Sequence, residues 1–224
     1  MNKVELIGFY GNDTTHAQSA WTSTSRDLTE DKMTRIPQLL KMLATEGHHT
    51  PFEKSSLHFL VTVDQATHIH LLKHRIGVSI NGESARYKEL KEDKMYFPED
   101  FLDKKLSSNS IPATLDRDIW GNDWMTVMRR HSEISNKLYH QCLADLTPIL
   151  GRKRAKESAR FFKTMNSQIT MDIMFNWRSF YHFLQLRDSG HAQLEVRMVA
   201  QEMLRQVKEI GGNPFKETIN AFKL

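Results

Sequence analysis

The densest group of polar side chains lies between residues 73 and 87. It combines cationic donors with short hydroxyl and amide side chains: Lys73, His74, Arg75, Ser79, Asn81, Ser84, Arg86 and Tyr87. Arginine makes bidentate charged hydrogen bonds to phosphate, and serine adds neutral ones. The segment therefore suits a phosphate-bearing ligand. The alternative is a solvated hairpin with a type I′ turn over Ile80-Asn81-Gly82-Glu83, which the local pattern on its own favours.

Three segments, in order along the chain, resemble motifs of the flavin-dependent thymidylate synthases. KHRIGVSINGESARY (73–87) resembles the family signature of Arg-His-Arg, seven residues and Ser. GHHTPFE (47–53) resembles an upstream His-x-Thr-Pro-Phe-Glu stretch, and NWRSFYHFLQLR (176–187) resembles an Asn-x-Arg-Ser helix that HAQLEVR (191–197) follows. The resemblance implies an enzyme that uses bound FAD to methylate dUMP to dTMP, with methylenetetrahydrofolate as carbon donor and NADPH as reductant.

The signature departs from the family pattern at several positions. Lys73 stands in place of the first arginine, and eight residues rather than seven separate Arg75 from Ser84. His70 stands where the family usually has glutamine, and the acidic residue is displaced to Glu83. These departures leave a second interpretation open, a relative that acts on another deoxypyrimidine monophosphate or forms another C5-modified product.

The resemblance also assigns residues to the cofactor. The positions that match flavin contacts in the family are His48, Thr50, Glu53, Lys73, His74, Arg75, Asn176, Arg178 and His182. Arg178 and His182 are four residues apart, so one helix face can present both. Taken alone, Thr50 and Glu53 would equally form a capping box at a helix start.

For the nucleotide, the resemblance assigns a second set of residues: His70, Lys73, Glu83, Ser84, Ala85, Arg86, Arg160 and Arg187. Ser84, Arg86 and Arg160 are the expected phosphate contacts. Arg187 matches the residue that contacts the uracil ring, and it is the predicted catalytic residue. A fixed positive charge there favours the ionised pyrimidine and so raises electron density at C5.

The chain has one cysteine, Cys142. Classical thymidylate synthases use a cysteine that attacks C6 of the pyrimidine. Cys142 lies between Leu138 and Leu146 on a predicted apolar stripe and has no basic neighbours that would lower its pKa. We therefore expect a small core residue and a reaction without an enzyme nucleophile.

Two other classes of protein fit parts of the sequence. His68, His70 and His74, with His48 and His49 upstream, could form a zinc site, but cations flank His74 and the segment has no carboxylate at ligand spacing, so no metal is expected. The basic run Arg152–Lys156 could touch nucleic acid. Such a run is usually a solvated helix start, and no RNA-binding signature accompanies it.

The periodicity of apolar residues predicts the elements that position these groups. Strands are expected at Lys3–Tyr10 and Ser56–Val63, and an irregular segment leads to Pro112. Helices are expected over Arg35–Leu43, Ala66–Arg75, Trp124–Leu146, Arg152–Phe162, Asp172–Leu186 and Ala192–Ile210. This order predicts an α+β fold in which a small, mostly antiparallel sheet packs against a helical layer.

Composition adds general limits. The 224 residues fit a single domain over 1–224, with 39% hydrophobic and 26% charged residues and a net charge of +4. No segment resembles a signal peptide or a membrane span, so the expected location is the cytoplasm. The family resemblance further implies a homotetramer with shared active sites, and neither a membrane nor a nucleic-acid partner is expected.

Overall fold

The computed structural model describes residues 2–25, 27–107 and 121–224. The helices of this described part are α1 (Asp13–Trp21), α2 (Glu30–Thr34), α3 (Ile36–Thr45), α4 (Gln65–Leu71), α5 (Trp124–Ala159), α6 (Trp177–Arg187), α7 (Leu194–Lys208) and α8 (Lys216–Phe222). The strands are β1 (Lys3–Tyr10), β2 (Ser56–Asp64), β3 (Val78–Gly82) and β4 (Gln168–Phe175), and short 3₁₀ turns cover Thr50–Glu53, Glu99–Phe101 and Arg160–Phe162. The end of the segment predicted as irregular, 108–112, lies outside the described residues.

The chain separates into two compact units. The sheet unit consists of Lys3–Thr62, Ile69–Asn81 and Thr170–Leu224. The long-helix unit consists of Asn2, Val63–His68 and the described residues of Gly82–Ile169. The expectation of a single domain stays a prediction.

The four strands form one sheet in the order β1-β2-β4-β3. β1 and β2 pair antiparallel from Lys3 opposite Thr62 to Tyr10 opposite Ser56, with a register shift between Leu6 and Gly8. With helices packed around it, this sheet confirms the predicted α+β class.

The prediction of one helix over Asp172–Leu186 is wrong in its first part. Residues up to Phe175 form β4, whose Met171, Ile173 and Phe175 are buried at every second position. Asn176 then caps α6, because its Oδ1 accepts a hydrogen bond from Ser179 N at 2.8 Å. The apolar run therefore changes from strand to helix at one capping residue.

The core of the sheet unit consists of side chains from the sheet and from α6 and α7. Phe59 of β2 stacks on Phe180 of α6, with ring centroids 5.8 Å apart. Trp177 stacks on Phe215 at 4.9 Å. Fully burying an aromatic or aliphatic side chain contributes roughly 1.5–3 kcal/mol, so α6 is firmly attached to the sheet.

Two expectations around the signature are corrected. Helix α4 ends at Leu71 rather than Arg75, so His70 and His74 do not share a helix face. Residues 78–82 form β3 next to β4, so Asn81-Gly82 is part of a strand and not the turn of a hairpin. Pairing with a strand distant in sequence outweighed the local turn preference.

The stripe that periodicity predicts for α5 is only partly buried, because Trp124, Ile134 and Leu138 are exposed while Cys142 and Leu146 pack against a buried cluster. The predicted stripe consists of Trp124, Val127, Met128, His131, Ile134, Leu138, Cys142 and Leu146. The buried positions of α5 before Gly151 are Met125, Ser132, Ser135, Tyr139 and Leu143. Serine can be buried there because its hydroxyl is satisfied: Ser132 Oγ donates to Met128 O at 2.8 Å and Ser135 Oγ donates to Phe162 O. The predicted break between two helices appears as a kink at Gly151, where φ is +77°.

The predicted capping box at Thr50 and Glu53 is also wrong. Thr50–Glu53 is a single 3₁₀ turn without a side-chain cap. Strand β2 begins three residues later, at Ser56, which leaves no room for a longer helix. None of the described helices has the length and apolar character needed to cross a membrane.

Candidate functional site

In the sheet unit, the Thr50–Glu53 turn and the start of α6 are joined by an ion pair. Arg178 Nη1 lies 2.5 Å from Glu53 Oε1. Both belong to the predicted flavin set, and the contact brings together residues 125 positions apart. Asn176, a third member, begins α6 beside them.

The segment that follows the Lys73-His74-Arg75 motif runs along α6. Asn176 N donates to Gly77 O at 3.1 Å, and Ser179 Oγ donates to Ile76 O at 2.6 Å. Gly77 has φ +64°, and a Cβ there would lie 2.4 Å from Asn176 Nδ2. Glycine is therefore required for this close approach.

The far end of the same helix contacts the motif itself. Arg187 Nε donates to His74 Nε2 at 2.9 Å. The His74 ring also meets Phe183 edge to face, with centroids 5.0 Å apart. Phe183 and Arg187 are four residues apart on α6, so one helix face holds the imidazole at two points.

His74 is buried, and it is neutral at physiological pH. Burial, and then the charges of Arg187 and His182, together lower the pKa of its imidazole to about 4. A neutral imidazole offers one acceptor nitrogen, which here receives the Arg187 Nε–H. His74 therefore holds a guanidinium without cancelling its charge.

The other predicted residues of the sheet unit lie on its surface. The exposed ones are His48, Thr50, Lys73, Arg75 and His182, and His70 is half-buried in the last turn of α4. A cleft of about 760 Å³ opens beside Glu53, Gly77 and Asn176, with Tyr10 on its wall. Its size falls within the range of small-molecule and cofactor sites.

The remaining predicted residues lie in the long-helix unit. Ser84 O accepts from Tyr87 N at 3.0 Å, which closes a turn, and Ser84 Oγ accepts from Arg86 N at 3.3 Å. Arg86 Nε donates to Glu157 Oε1 at 2.7 Å. Arg160 lies three residues after Glu157, directly after the end of α5. The arginines that pair with the Glu157 carboxylate are Arg86 and Arg154. We call Ser84, Arg86 and Arg160 the loop cluster.

Ion pairs dominate the surroundings of the loop cluster. The hydrogen bond from Arg86, and then the one from Arg154, lower the pKa of Glu157. Lys88 Nζ lies 2.5 Å from Glu83 Oε1, and half-buried Ala85 lies between Ser84 and Arg86. The basic run after Gly151 is partly used inside the unit, since Lys156 Nζ donates to Tyr87 O at 2.6 Å.

Sequence reasoning missed three residues that hold the site. Phe183 supports His74, Ser179 fixes the segment after the motif, and Glu157 pairs with Arg86. None of these contacts had a readable local signal, because each joins segments that are distant in the sequence. Among the described residues, no group of three histidine, cysteine or acidic side chains is arranged to hold a metal ion.

The comparison with protein families is decisive for the class of enzyme. The family model "Thymidylate synthase complementing protein" matches residues 5–211, which is most of the chain. The chain belongs to this family. Its curated relatives are named flavin-dependent thymidylate synthases, so the family predicted from three motifs is confirmed, and the family implies a flavin cofactor.

Two relatives and two solved structures illustrate the similarity. The flavin-dependent thymidylate synthase of Gluconobacter oxydans is 29% identical over 211 residues, covering 92% of this chain and 66% of the relative. That of Kosmotoga olearia is 27% identical, covering 88% and 81%. The UMP/dUMP methylase PolB from Streptomyces cacaoi matches in complexes with 5-Br UMP and 5-Br dUMP. Its TM-scores are 0.74 and 0.75 at 26% and 28% identity, covering 100% of this chain and 94% and 95% of PolB.

Proposed function

We propose that the chain methylates dUMP to dTMP with bound FAD, with methylenetetrahydrofolate as the carbon donor and NADPH as the reductant. This proposal rests on three segments of the sheet unit that come together at one place. The Thr50–Glu53 turn, the start of α6 and the segment after His74 meet beside one cleft. Family membership supports the same chemistry.

The predicted flavin residues of the sheet unit fit a flavin dinucleotide in chemistry, and two of them, Glu53 and Asn176, line the cleft. FAD carries a diphosphate and ring nitrogens, which need cationic and amide donors. We assign it to the exposed side chains of His48, Thr50, Lys73, Arg75 and His182, together with Glu53, Asn176 and Arg178. When bound, FAD supplies hydride chemistry, and NADPH provides the electrons.

Arg187 is the proposed catalytic residue. Its Nε donates a hydrogen bond to His74, and no other side chain in the described part of the chain pairs with its guanidinium. The two Nη groups can therefore donate to a pyrimidine. Their undiminished positive charge favours the ionised ring and raises electron density at C5, which is otherwise a poor nucleophile.

The reaction needs no enzyme nucleophile in this proposal. Cys142 is half-buried and packs against a cluster of Tyr139, Leu143, Ala155 and Ala159 in the long-helix unit. A thiol in apolar surroundings is a weak nucleophile. The protein then acts by positioning the reactants and polarising the pyrimidine.

We assign the nucleotide phosphate to the loop cluster, with His70, Lys73, Glu83 and Ala85 as further substrate contacts. Arg86 is already ordered by Glu157 at 2.7 Å. A phosphate offers the same bidentate acceptor geometry as that carboxylate and more charge. Binding would thus exchange one anion for another on a prearranged arginine.

A second candidate is a broader pyrimidine choice. PolB, which is similar over the whole chain, is described as a UMP/dUMP methylase and binds both brominated nucleotides. The lengthened signature loop and Lys73 lie where the nucleotide is expected. UMP, or another pyrimidine monophosphate such as dCMP, is therefore the alternative substrate to dUMP.

We further propose a single-domain, cytoplasmic homotetramer with shared sites. The family match spans both compact units. Ile134 and Leu138 of α5 remain 40% and 46% exposed although they belong to an apolar stripe. A second copy covering that stripe would remove its apolar surface from water.

A substrate panel tests the proposal. The enzyme is incubated with FAD, NADPH and methylenetetrahydrofolate and with dUMP, UMP or dCMP, and each product is identified by mass. Methylation of dUMP is the expected result, and methylation of UMP at a comparable rate would favour the second candidate. Salt-sensitive binding of oligonucleotides by a protein without bound flavin would instead indicate a nucleic-acid-binding protein.

A further inference from the structure

The partner of Arg187 differs in charge from the partners of two other arginines that are assigned to ligands. Arg178 is paired with the carboxylate of Glu53, and Arg86 with that of Glu157. Arg187 is paired with a neutral imidazole nitrogen at 2.9 Å. Of these three guanidinium groups, Arg187 alone is held without a counter-charge.

The imidazole is itself held in a fixed position. His74 N donates to Leu71 O at 3.1 Å, which ties its backbone to the end of α4. Phe183 contacts the ring at a centroid distance of 5.0 Å and an interplanar angle of 83°. Two residues further on, Ile76 O accepts from Ser179 Oγ at 2.6 Å. Backbone and ring are therefore both constrained before any ligand binds.

We propose that His74 is a positioning residue that orients the Arg187 guanidinium through its Nε, while leaving its charge and its two Nη groups for the pyrimidine. This inference rests on the proposed function, in which Arg187 polarises the ring. A free arginine side chain loses rotamer entropy when it is ordered. His74 imposes that order in advance, and a small misplacement of a catalytic group can cost about 100-fold in rate.

The chemistry explains why the partner is histidine. A carboxylate would orient the guanidinium equally well but would cancel the charge that the pyrimidine requires. A protonated imidazole would lose its acceptor nitrogen and repel Arg187. Burial, Arg187 and His182 all favour the neutral ring, whose proton then resides on Nδ1.

Three substitutions of His74 separate orientation from charge. His74→Gln places a neutral oxygen near the position of Nε2 and should keep kcat within about threefold of wild type. His74→Leu removes the acceptor and should lower kcat about 10- to 100-fold with little change in KM for dUMP. His74→Glu keeps an acceptor but neutralises Arg187, and it should also lose turnover. The matched control is His131→Leu, at an exposed histidine of the long-helix unit.

A double-mutant cycle with Arg187→Lys tests whether His74 acts through Arg187. Lysine has no Nε–H donor, so His74→Leu should change kcat less than about threefold in that background. Equal losses in both backgrounds would overturn the proposal. Equal loss of kcat in His74→Gln and His74→Leu would also overturn it. So would a loss of bound flavin in His74→Leu that matches its loss of turnover.

A readout independent of catalysis separates this proposal from the proposed function. In protein with isotopically labelled arginine, the Arg187 Nε–H resonance should be protected from exchange in wild type and His74→Gln. It should be lost in His74→Leu, and its persistence there would contradict the contact. If the wild type forms no dTMP, the proposed function fails, while this resonance still decides the contact. If His74→Leu does not fold, the Gln and Glu variants decide between orientation and charge.

Discussion

The sheet unit and the long-helix unit hold their predicted site residues in different ways. In the sheet unit, His74 is fixed to Arg187, the last residue of α6, and Phe180 and Phe183 of that helix are fully buried. In the long-helix unit, Ser84 and Arg86 lie on a turn outside helices and strands. Arg86 is half-exposed and forms an ion pair with the Glu157 carboxylate. Under the proposed function, the sheet unit is a preformed catalytic side, and the long-helix unit is a phosphate side on which Arg86 exchanges ion-pair partners on binding.

The largest expected effect comes from the preformed side. Arg187→Ala removes the charge that polarises the pyrimidine, and kcat should fall about 100- to 1,000-fold, as when one preorganised donor is lost. Flavin should remain bound, because only the pyrimidine loses its partner. Steady-state kinetics and the flavin absorbance of the purified variant check both points. Loss of FAD would show that Arg187 belongs to the cofactor site instead.

The stability of the sheet unit should depend on His16. This buried side chain contacts Thr218 Oγ1 at 2.9 Å and Ser55 Oγ at 2.8 Å, and burial lowers its pKa to about 4. In the unfolded state the His16 imidazole takes up a proton near pH 6.5. The stability that the neutral imidazole contributes is therefore fully present above that pH. It is lost as pH falls from 6.5 towards 4, by about 3 kcal/mol.

Urea unfolding at pH 7, 6 and 5 measures this loss. The difference in unfolding free energy between wild type and His16→Gln gives the contribution of His16. Burial raises the pKa of Asp13, but Asp13 is present in both proteins and its contribution cancels. His74 adds to the loss in the same direction. Equal pH dependence in wild type and His16→Gln would contradict the assignment.

A smaller effect is expected on the phosphate side. Glu157→Gln removes the carboxylate that competes for Arg86, and KM for dUMP should fall about two- to fivefold, since solvent weakens ion pairs at the surface. Glu133→Gln, at an exposed position of α5, is the control and should leave KM unchanged. A higher KM in Glu157→Gln would mean that the carboxylate positions Arg86 instead of competing with phosphate.

The smallest effect is expected for the cysteine of the long-helix unit. Cys142→Ala should leave the rate of dTMP formation within about twofold and destabilise the protein by about 1 kcal/mol, because a half-buried thiol is lost from an apolar cluster. Rate assays and thermal unfolding measure the two quantities. Abolished turnover with intact folding would indicate a nucleophilic thiol.

Much of the local framework could be predicted, and the pairing between distant segments could not. The strand at Lys3–Tyr10 and the end of α3 before Gly47 follow from local residue types. The change from β4 to α6 at Asn176 was missed, because strand and helix periodicities follow each other within one apolar run. The burial of Ser135 depends on Phe162 O, which no pattern within α5 reveals.

The site shows the same division. Motif order assigned Arg187 and the motif around His74 to the site, which stays a prediction. These residues are 113 positions apart, and nothing local indicates their hydrogen bond. The pairing of Arg178 with Glu53 is equally remote in sequence. Residue types are thus readable from the chain, while partners that set charge and orientation depend on the fold.

The dependence of dTMP formation on added FAD tests the central claim most directly. Protein stripped of flavin is supplied with dUMP, NADPH and methylenetetrahydrofolate, with and without FAD, and the nucleotide product is identified by mass. We predict that dTMP forms only when FAD is present. Absence of dTMP with FAD, or equal formation without it, would contradict the account.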